Sequence, residues 1–259
     1  YTFAATTNAI IHSNATPLLF DIEESTMCID LKKVLSFLKN NTFKSGKYYY
    51  DKKSKKRIIC ICPVTTFSIV PDLEIIKKIS KKYNIKVIID AASALTSKFK
   101  KRSLATFSDM VVFSFNGNKS FTSGGGGSVV SNKRSYIKFI NHISTNAKLK
   151  KAPYTYSEPG FNFRMTNLHA AIGLGQLENI ANIKKKKENI NKLYNNLLKN
   201  KKINLPVQPK WSDHDLWLNY IITKDDKVYK IISKNLKRIN FNVSNFWKPM
   251  HLQKNLKFL

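Results

Sequence analysis

Short, predominantly apolar runs, separated by segments with helical periodicity, limit what this chain can fold into more than any other feature. Residues 58–62, 87–89, 110–115 and 128–131 are such runs. A strand without a polar face leaves nothing for water, so both of its faces must be covered, and helices usually cover them. The intervening segments supply those helices. Asp30 stands before Leu31, Val34, Leu35 and Leu38, a helical spacing behind a capping residue. Pro71 and Asp72 open another, with Leu73, Ile76, Ile79 and Tyr83 on one face. The predicted fold class is α/β, a mostly parallel sheet sandwiched by helices. Ligands of such sheets bind beyond the carboxyl ends of the strands. Asp90 follows one apolar run directly, and Ser114 lies near the end of another.

The remaining segments fill in this plan. Residues 18–21 read as a short strand after Pro17, and the polar stretch 40–56 as an exposed loop or hairpin. From Arg164 to about residue 200 the pattern is helical, with an apolar stripe of Leu168, Ala171, Ile172, Leu177 and Ile180. The four lysines at 184–187 read as a solvated face. Beyond Pro206 the pattern changes to strand-like 216–223, helical 228–236 and strand-like 239–246. The expected organisation is a large domain over 1–200 and the start of a smaller α+β domain over 201–259.

The net charge of +29 invites a polyanion partner. Its make-up argues otherwise. Only five of the 45 basic residues are arginine (Arg57, Arg102, Arg134, Arg164 and Arg238), and the lysines fall on the polar sides of amphipathic helices. Readers of base edges favour arginine, and single-strand binders interleave aromatic side chains. No nucleic-acid partner is expected, nor a membrane, because no apolar run approaches about 18 residues. The three cysteines, Cys28, Cys60 and Cys62, form no CxxC pair. They read as small buried residues rather than metal ligands, which suits a reducing cytoplasm.

Three short segments carry the chemistry. Asp90-Ala91-Ala92-Ser93 closes a strand, Ser114-Phe115-Asn116-Gly117-Asn118-Lys119 follows another, and Thr122-Ser123 precedes four glycines at 124–127. Singly, each has an ordinary explanation: a cap, one lysine among 40, a flexible linker. Together they match the needs of pyridoxal phosphate. That cofactor requires an amine to bond its aldehyde, which only lysine supplies. It requires a carboxylate to keep the pyridine nitrogen protonated, and hydroxyls or backbone N–H groups for its phosphate. Lys119, Asp90 and Ser114 fill these three roles. A glycine run that returns at once to a strand suits close backbone approach to a ligand.

Longer segments make the match specific. Residues 2–10 (TFAATTNAI), 63–67 (PVTTF), 89–92 (IDAA), 160–168 (GFNFRMTNL) and 247–251 (WKPMH) resemble motifs of the DegT/DnrJ/StrS sugar aminotransferases, of the type I pyridoxal-phosphate transferase fold. The FNGNK and TSGGGG spellings look most like the branch acting on UDP-linked 4-keto-6-deoxy-N-acetylhexosamines. The resemblance implies an enzyme that moves an amino group from glutamate to the keto group of a nucleotide-linked sugar, for polysaccharide or related glycan synthesis. It implies that Lys119 is the Schiff-base lysine and proton carrier, with Asp90 on the ring nitrogen and Ser93 beside the ring. Ser114 would then bind the phosphate, and Phe3 would lie against the ring. Asn162 would reach the cofactor of a neighbouring subunit, giving a homodimer with shared sites, and Arg164 and His251 would face the nucleotide sugar.

The departures from the family pattern bear on activity. Ser93 stands where Gln, Glu or His is usual, and Ser68, Thr96, Lys101, Ala105 and Ser108 replace habitual glycines. These favour, as the alternative, a catalytically impaired or regulatory homologue that keeps the fold. Family members also carry a Gly/Ser-Thr-Ala phosphate-binding turn ahead of the point where this sequence opens, and they run on past its end. The sequence is therefore expected to be part of a longer protein, its fold incomplete at both ends.

Overall fold

A computed structural model of the chain describes residues 1–198, 203–205 and 207–256. Helix α1 (Ala4–His12) is followed by α2 (Leu31–Asn40), whose Asp30 carboxylate accepts the Lys32 and Lys33 amides at 2.9 and 3.1 Å. The polar stretch beyond it is a hairpin, β1 (Thr42–Ser45) and β2 (Tyr48–Asp51), paired antiparallel. Strand β3 (Cys60–Ile61) leads to α3 (Leu73–Tyr83), capped by Asp72, and then to β4 (Lys86–Asp90). Strand β5 (Lys98–Phe99) precedes β6 (Met110–Ser114) and β7 (Gly127–Val130).

The central sheet has the order β3-β4-β6-β7. Its first three strands are parallel and β7 is antiparallel, pairing Val112 with Val129 and Ser114 with Gly127. The apolar runs thus make a largely parallel sheet, as their pattern requires. Helices α2 and α3 bury Leu31, Val34, Leu38, Leu73, Ile76 and Ile79 against Val87, Ile89 and Val111. Ile76 is fully enclosed. Ile76→Ala removes atoms that neighbours cannot replace, and is expected to cost about 2–5 kcal/mol. A urea titration reads this as a lower midpoint at unchanged slope.

Helix α4 (Arg134–Ile143) is followed by α5 (Asn167–Glu178) and α6 (Ile180–Leu198). The region read as one long helix is therefore broken at Asn179, and its apolar stripe is not buried within the chain: Leu168 is 79% exposed and Ile172 53%. The lysine run is only half a solvated face. Lys185 and Lys186 are exposed, whereas Lys184 pairs with Asp213 at 3.2 Å and Lys187 donates to the Trp217 carbonyl at 3.2 Å. The helix turns once every 3.6 residues, so a run of four cannot share one face.

Beyond α6, β8 (Ile203–Asn204) pairs antiparallel with β10 (Ile222–Thr223), and β9 (Ser212–Asp213) pairs with β5. Helix α7 (Asp226–Arg238) is capped by Asp225. The domain boundary expected at residue 200 lies outside the described residues. The strand reading over 216–223 holds only at Ile222–Thr223, and two other strand readings fail. Residues 18–21 form no ladder, with Leu18 and Leu19 exposed, and 239–246 run irregularly along the cleft described below. Apolar composition supplies a candidate strand, but a partner edge decides whether it becomes one. Among the described residues, no helix is long and apolar enough to cross a membrane.

Candidate active site

The carboxyl ends of β4 and β6 open into a cleft. Parallel strands present their carboxyl ends together, so residues 24 positions apart in sequence, Asp90 and Ser114, meet on one rim. Asp90 is the last residue of β4. Its Oδ2 accepts from Thr6 Oγ1 at 2.6 Å and its Oδ1 from the Ala92 amide at 3.0 Å. Ser114 ends β6, and its Oγ accepts from the Asn116 amide at 3.4 Å. Lys119 sits in the turn that follows, its amide bonded to the Asn116 carbonyl at 3.0 Å.

The glycines behind this turn serve the backbone rather than flexibility. Gly126 has φ +88°, and a Cβ on Gly127 would stand 2.4 Å from the Phe113 carbonyl oxygen. The run thereby returns the chain directly into β7, flush against β6.

Lys119 is half-buried, and its Nζ lies 4.1 Å from the centroid of the Trp217 ring. Burial lowers its ammonium below the ordinary lysine range, and the Asp90 carboxylate partly restores it. Among the described residues, no hydrogen bond or ion pair ties up this nitrogen.

Phe3, Asp90, Ser114, Lys119 and His251 all line the cleft. Phe3 is 61% exposed and meets Trp247 edge-on at 5.9 Å. Ser93, Asn162 and Arg164 do not line it. The Ser93 hydroxyl donates to the Thr65 carbonyl at 3.1 Å. Asn162 and Arg164 are exposed on the segment after α4, where Asn162 bridges to Thr145.

Two neighbours of the site were not singled out from sequence. Thr6, which orients Asp90, falls inside the TFAATTNAI motif and could have been found there. Trp217 lies 98 positions from Lys119, and no local pattern marks it.

The profile of the DegT/DnrJ/EryC1/StrS aminotransferases matches residues 1–257. The chain belongs to this family. Members of the DegT/DnrJ/EryC1/StrS family depend on pyridoxal phosphate. Among relatives, the chain is 31% identical to a GDP-perosamine synthase of Escherichia coli O157:H7, over 86% of this chain and 57% of that one. It is also 31% identical to a UDP-4-amino-4,6-dideoxy-N-acetyl-beta-L-altrosamine transaminase of Campylobacter jejuni, over 74% and 48%. A DegT/DnrJ/EryC1/StrS aminotransferase structure from Brucella abortus superposes with TM-score 0.88 at 20% identity, covering 99% of this chain and 66% of that one. The likeness confirms the type I fold expected from the motifs. The chain thus spans between about half and two thirds of the length of these proteins.

The groups at the cleft fit the family's cofactor. An amine that is half-buried and free of hydrogen bonds among the described residues suits an aldehyde, and a carboxylate anchored through both oxygens suits a ring nitrogen. The Ser114 hydroxyl still has its proton to donate.

Two of the positions read from the sequence as departing from glycine carry a positive φ. Ser68 has φ +72° and Lys101 φ +62°, the left-handed region where glycine sits without strain.

Proposed function

We propose that the protein is a pyridoxal-phosphate aminotransferase that moves an amino group from glutamate to the keto group of a nucleotide-linked 4-keto-6-deoxy sugar. The observation that carries this reading is the free Lys119 amine beside Asp90, in a cleft at the carboxyl ends of β4 and β6.

Pyridoxal phosphate, when bound, supplies an aldehyde for amines and a ring that draws electrons away from the adjoining carbon. Lys119 would hold the cofactor through Nζ. During each half-reaction it removes and returns the proton at the carbon bearing nitrogen. Its lowered ammonium pKa raises the share of neutral amine at working pH. Asp90 holds a proton at the ring nitrogen, and Thr6 and the Ala92 amide fix its carboxylate there. Ser114 donates to the phosphate. Phe3 would lie against the ring, and His251 would face the nucleotide sugar. Ser93 offers the ring no side chain, because it does not line the cleft and its hydroxyl is turned to Thr65.

The reading includes a homodimer. Asn162 and Arg164 lie outside this chain's own cleft, on an exposed segment with stacked Phe161 and Phe163 rings 4.7 Å apart. The neighbouring α5 exposes Leu168, Ile172 and Leu177. Apolar surface of that kind belongs at an interface, where Asn162 and Arg164 would serve the cleft of a second copy. A large domain over 1–200 and a smaller one from 201 belong to the same reading, as does a cytoplasmic location, which the free thiols of Cys28, Cys60 and Cys62 suit.

The test is spectroscopic. Protein incubated with pyridoxal phosphate is expected to gain a visible absorbance band that borohydride bleaches. Glutamate should discharge the band, and the keto sugar should restore it, as ping-pong exchange requires. Absence of the band overturns the proposal, and a band indifferent to glutamate leaves a cofactor-binding homologue without transaminase activity.

A further inference from the structure

We propose that Trp217 is a positioning residue for Lys119, whose indole ties down the lysine-bearing turn at the Asn118 carbonyl and roofs the amine. The inference rests on Lys119 being the reactive amine. Trp217 Nε1–H donates to the Asn118 carbonyl at 2.6 Å, and the face of the same ring lies 4.1 Å from Nζ. One side chain therefore contacts the lysine from both sides of its Cα: through the preceding peptide and at the amine. The turn needs such a tie. Residues 115–126 contain no helix or strand; bonds of Phe115 with Gly126, Ser123 and Thr122 close the base of the turn, but within 116–120 the bonds, from Lys119 N and Gly117 N to Asn116, are local.

Trp217 is itself held firmly. It is only 7% exposed. Its amide donates to Ser68 Oγ at 3.4 Å, and its carbonyl accepts from Lys187 Nζ. The Ser68 hydroxyl in turn donates to the Ser93 carbonyl, so one oxygen bridges the turn after Asp90 to Trp217. Two residues earlier, the buried Asp215 takes a hydrogen bond from Thr96 Oγ1 at 2.7 Å, while its amide donates to Ser97 Oγ at 3.0 Å. Ser68 and Thr96 both act through their side chains. Here they supply the hydroxyls that fasten the 215–217 segment to the rim of the sheet. That gives the positive φ of Ser68 a compensating role. Holding a reacting amine in place matters because small displacements of a reacting group cost rate steeply.

Trp217→Phe keeps an aromatic ring at the position while removing the N–H and part of the indole's volume, and exchange in β4 reports any general loosening from the lost volume. Hydrogen exchange in cofactor-free W217F, read by peptide mass, is expected to speed up across residues 116–120 by roughly tenfold, the scale of one lost buried hydrogen bond. Exchange in β4 should stay as in the parent. In the loaded enzyme kcat should fall while the KM for the sugar holds. Trp217→Ala also uncovers the amine, and water at Nζ should raise the pH midpoint for acylating Lys119, followed on its own peptide. An unmoved midpoint overturns the claim that the ring roofs the amine. Unchanged exchange at 116–120 in W217F overturns the proposal, and so does an equal acceleration throughout the sheet. Because exchange is measured without cofactor, it decides the role of Trp217 even if the absorbance test defeats the aminotransferase reading.

Discussion

Lys119→Ala is expected to abolish both the borohydride-sensitive absorbance band and transamination, while leaving the fold intact. The activity loss from proton transfer alone should reach roughly 10²–10⁴-fold, and loss of the covalent link to the cofactor adds to it. The structural cost is small, since Nζ makes no hydrogen bond among the described residues and gives up only its contact with the Trp217 ring. That contact is worth about 0.5–2 kcal/mol. A thermal melt close to the parent, together with no cofactor fixed to the peptide after borohydride, is the outcome to look for. Added methylamine should restore part of the rate by taking the place of the missing amine. Retention of the band, with another of the 40 lysines labelled instead, would refute the assignment.

Asp90→Asn should leave the protein folded and reduce kcat by about 100- to 1000-fold, the range for removing one charge from a desolvated pair. The substitution is close to isosteric. Oδ1 persists to accept the Ala92 amide, and the Thr6 hydroxyl, which already contacts Thr2 Oγ1 at 3.0 Å, can turn to accept from the new amide. What disappears is the negative charge that keeps the ring nitrogen protonated. The same charge supports the ammonium of Lys119, so the lysine should titrate lower still in D90N. Stopped-flow traces of the glutamate half-reaction would show the slow step directly. A kcat within a factor of a few of the parent would remove Asp90 from the proposed machinery.

The two experiments address the part of the site that local sequence could mark. Asp90 and Ser114 each follow an apolar run, and a parallel sheet brings the carboxyl ends of such runs to one side whatever the helices between them do. That made both residues, and the lysine five positions on, legible before any coordinates. The sheet order was not legible, nor was the reversal of β7, because the turn through 115–126 had to be closed in space before its direction was known. The readings at 18–21 and 239–246 fail for a related reason. Their composition permits a strand, but no neighbouring edge takes them up. The exposed stripe on α5 shows the same principle from the opposite side, since periodicity shows that a face is apolar and says nothing about what covers it.

By itself, then, the sequence determined the layered α/β class, the capped helices α2 and α3, and the lysine and carboxylate at the sheet's rim, because each depends on residues within a few positions of one another. The tertiary structure alone decided that Thr6 orients Asp90 from 84 positions away, and that Trp217 roofs Lys119. It also decided that Ser93 turns its hydroxyl from the cleft and that Asn162 and Arg164 stand outside it. These are contacts between distant segments, and they exist only after loop closure has brought together residues that no local spacing relates.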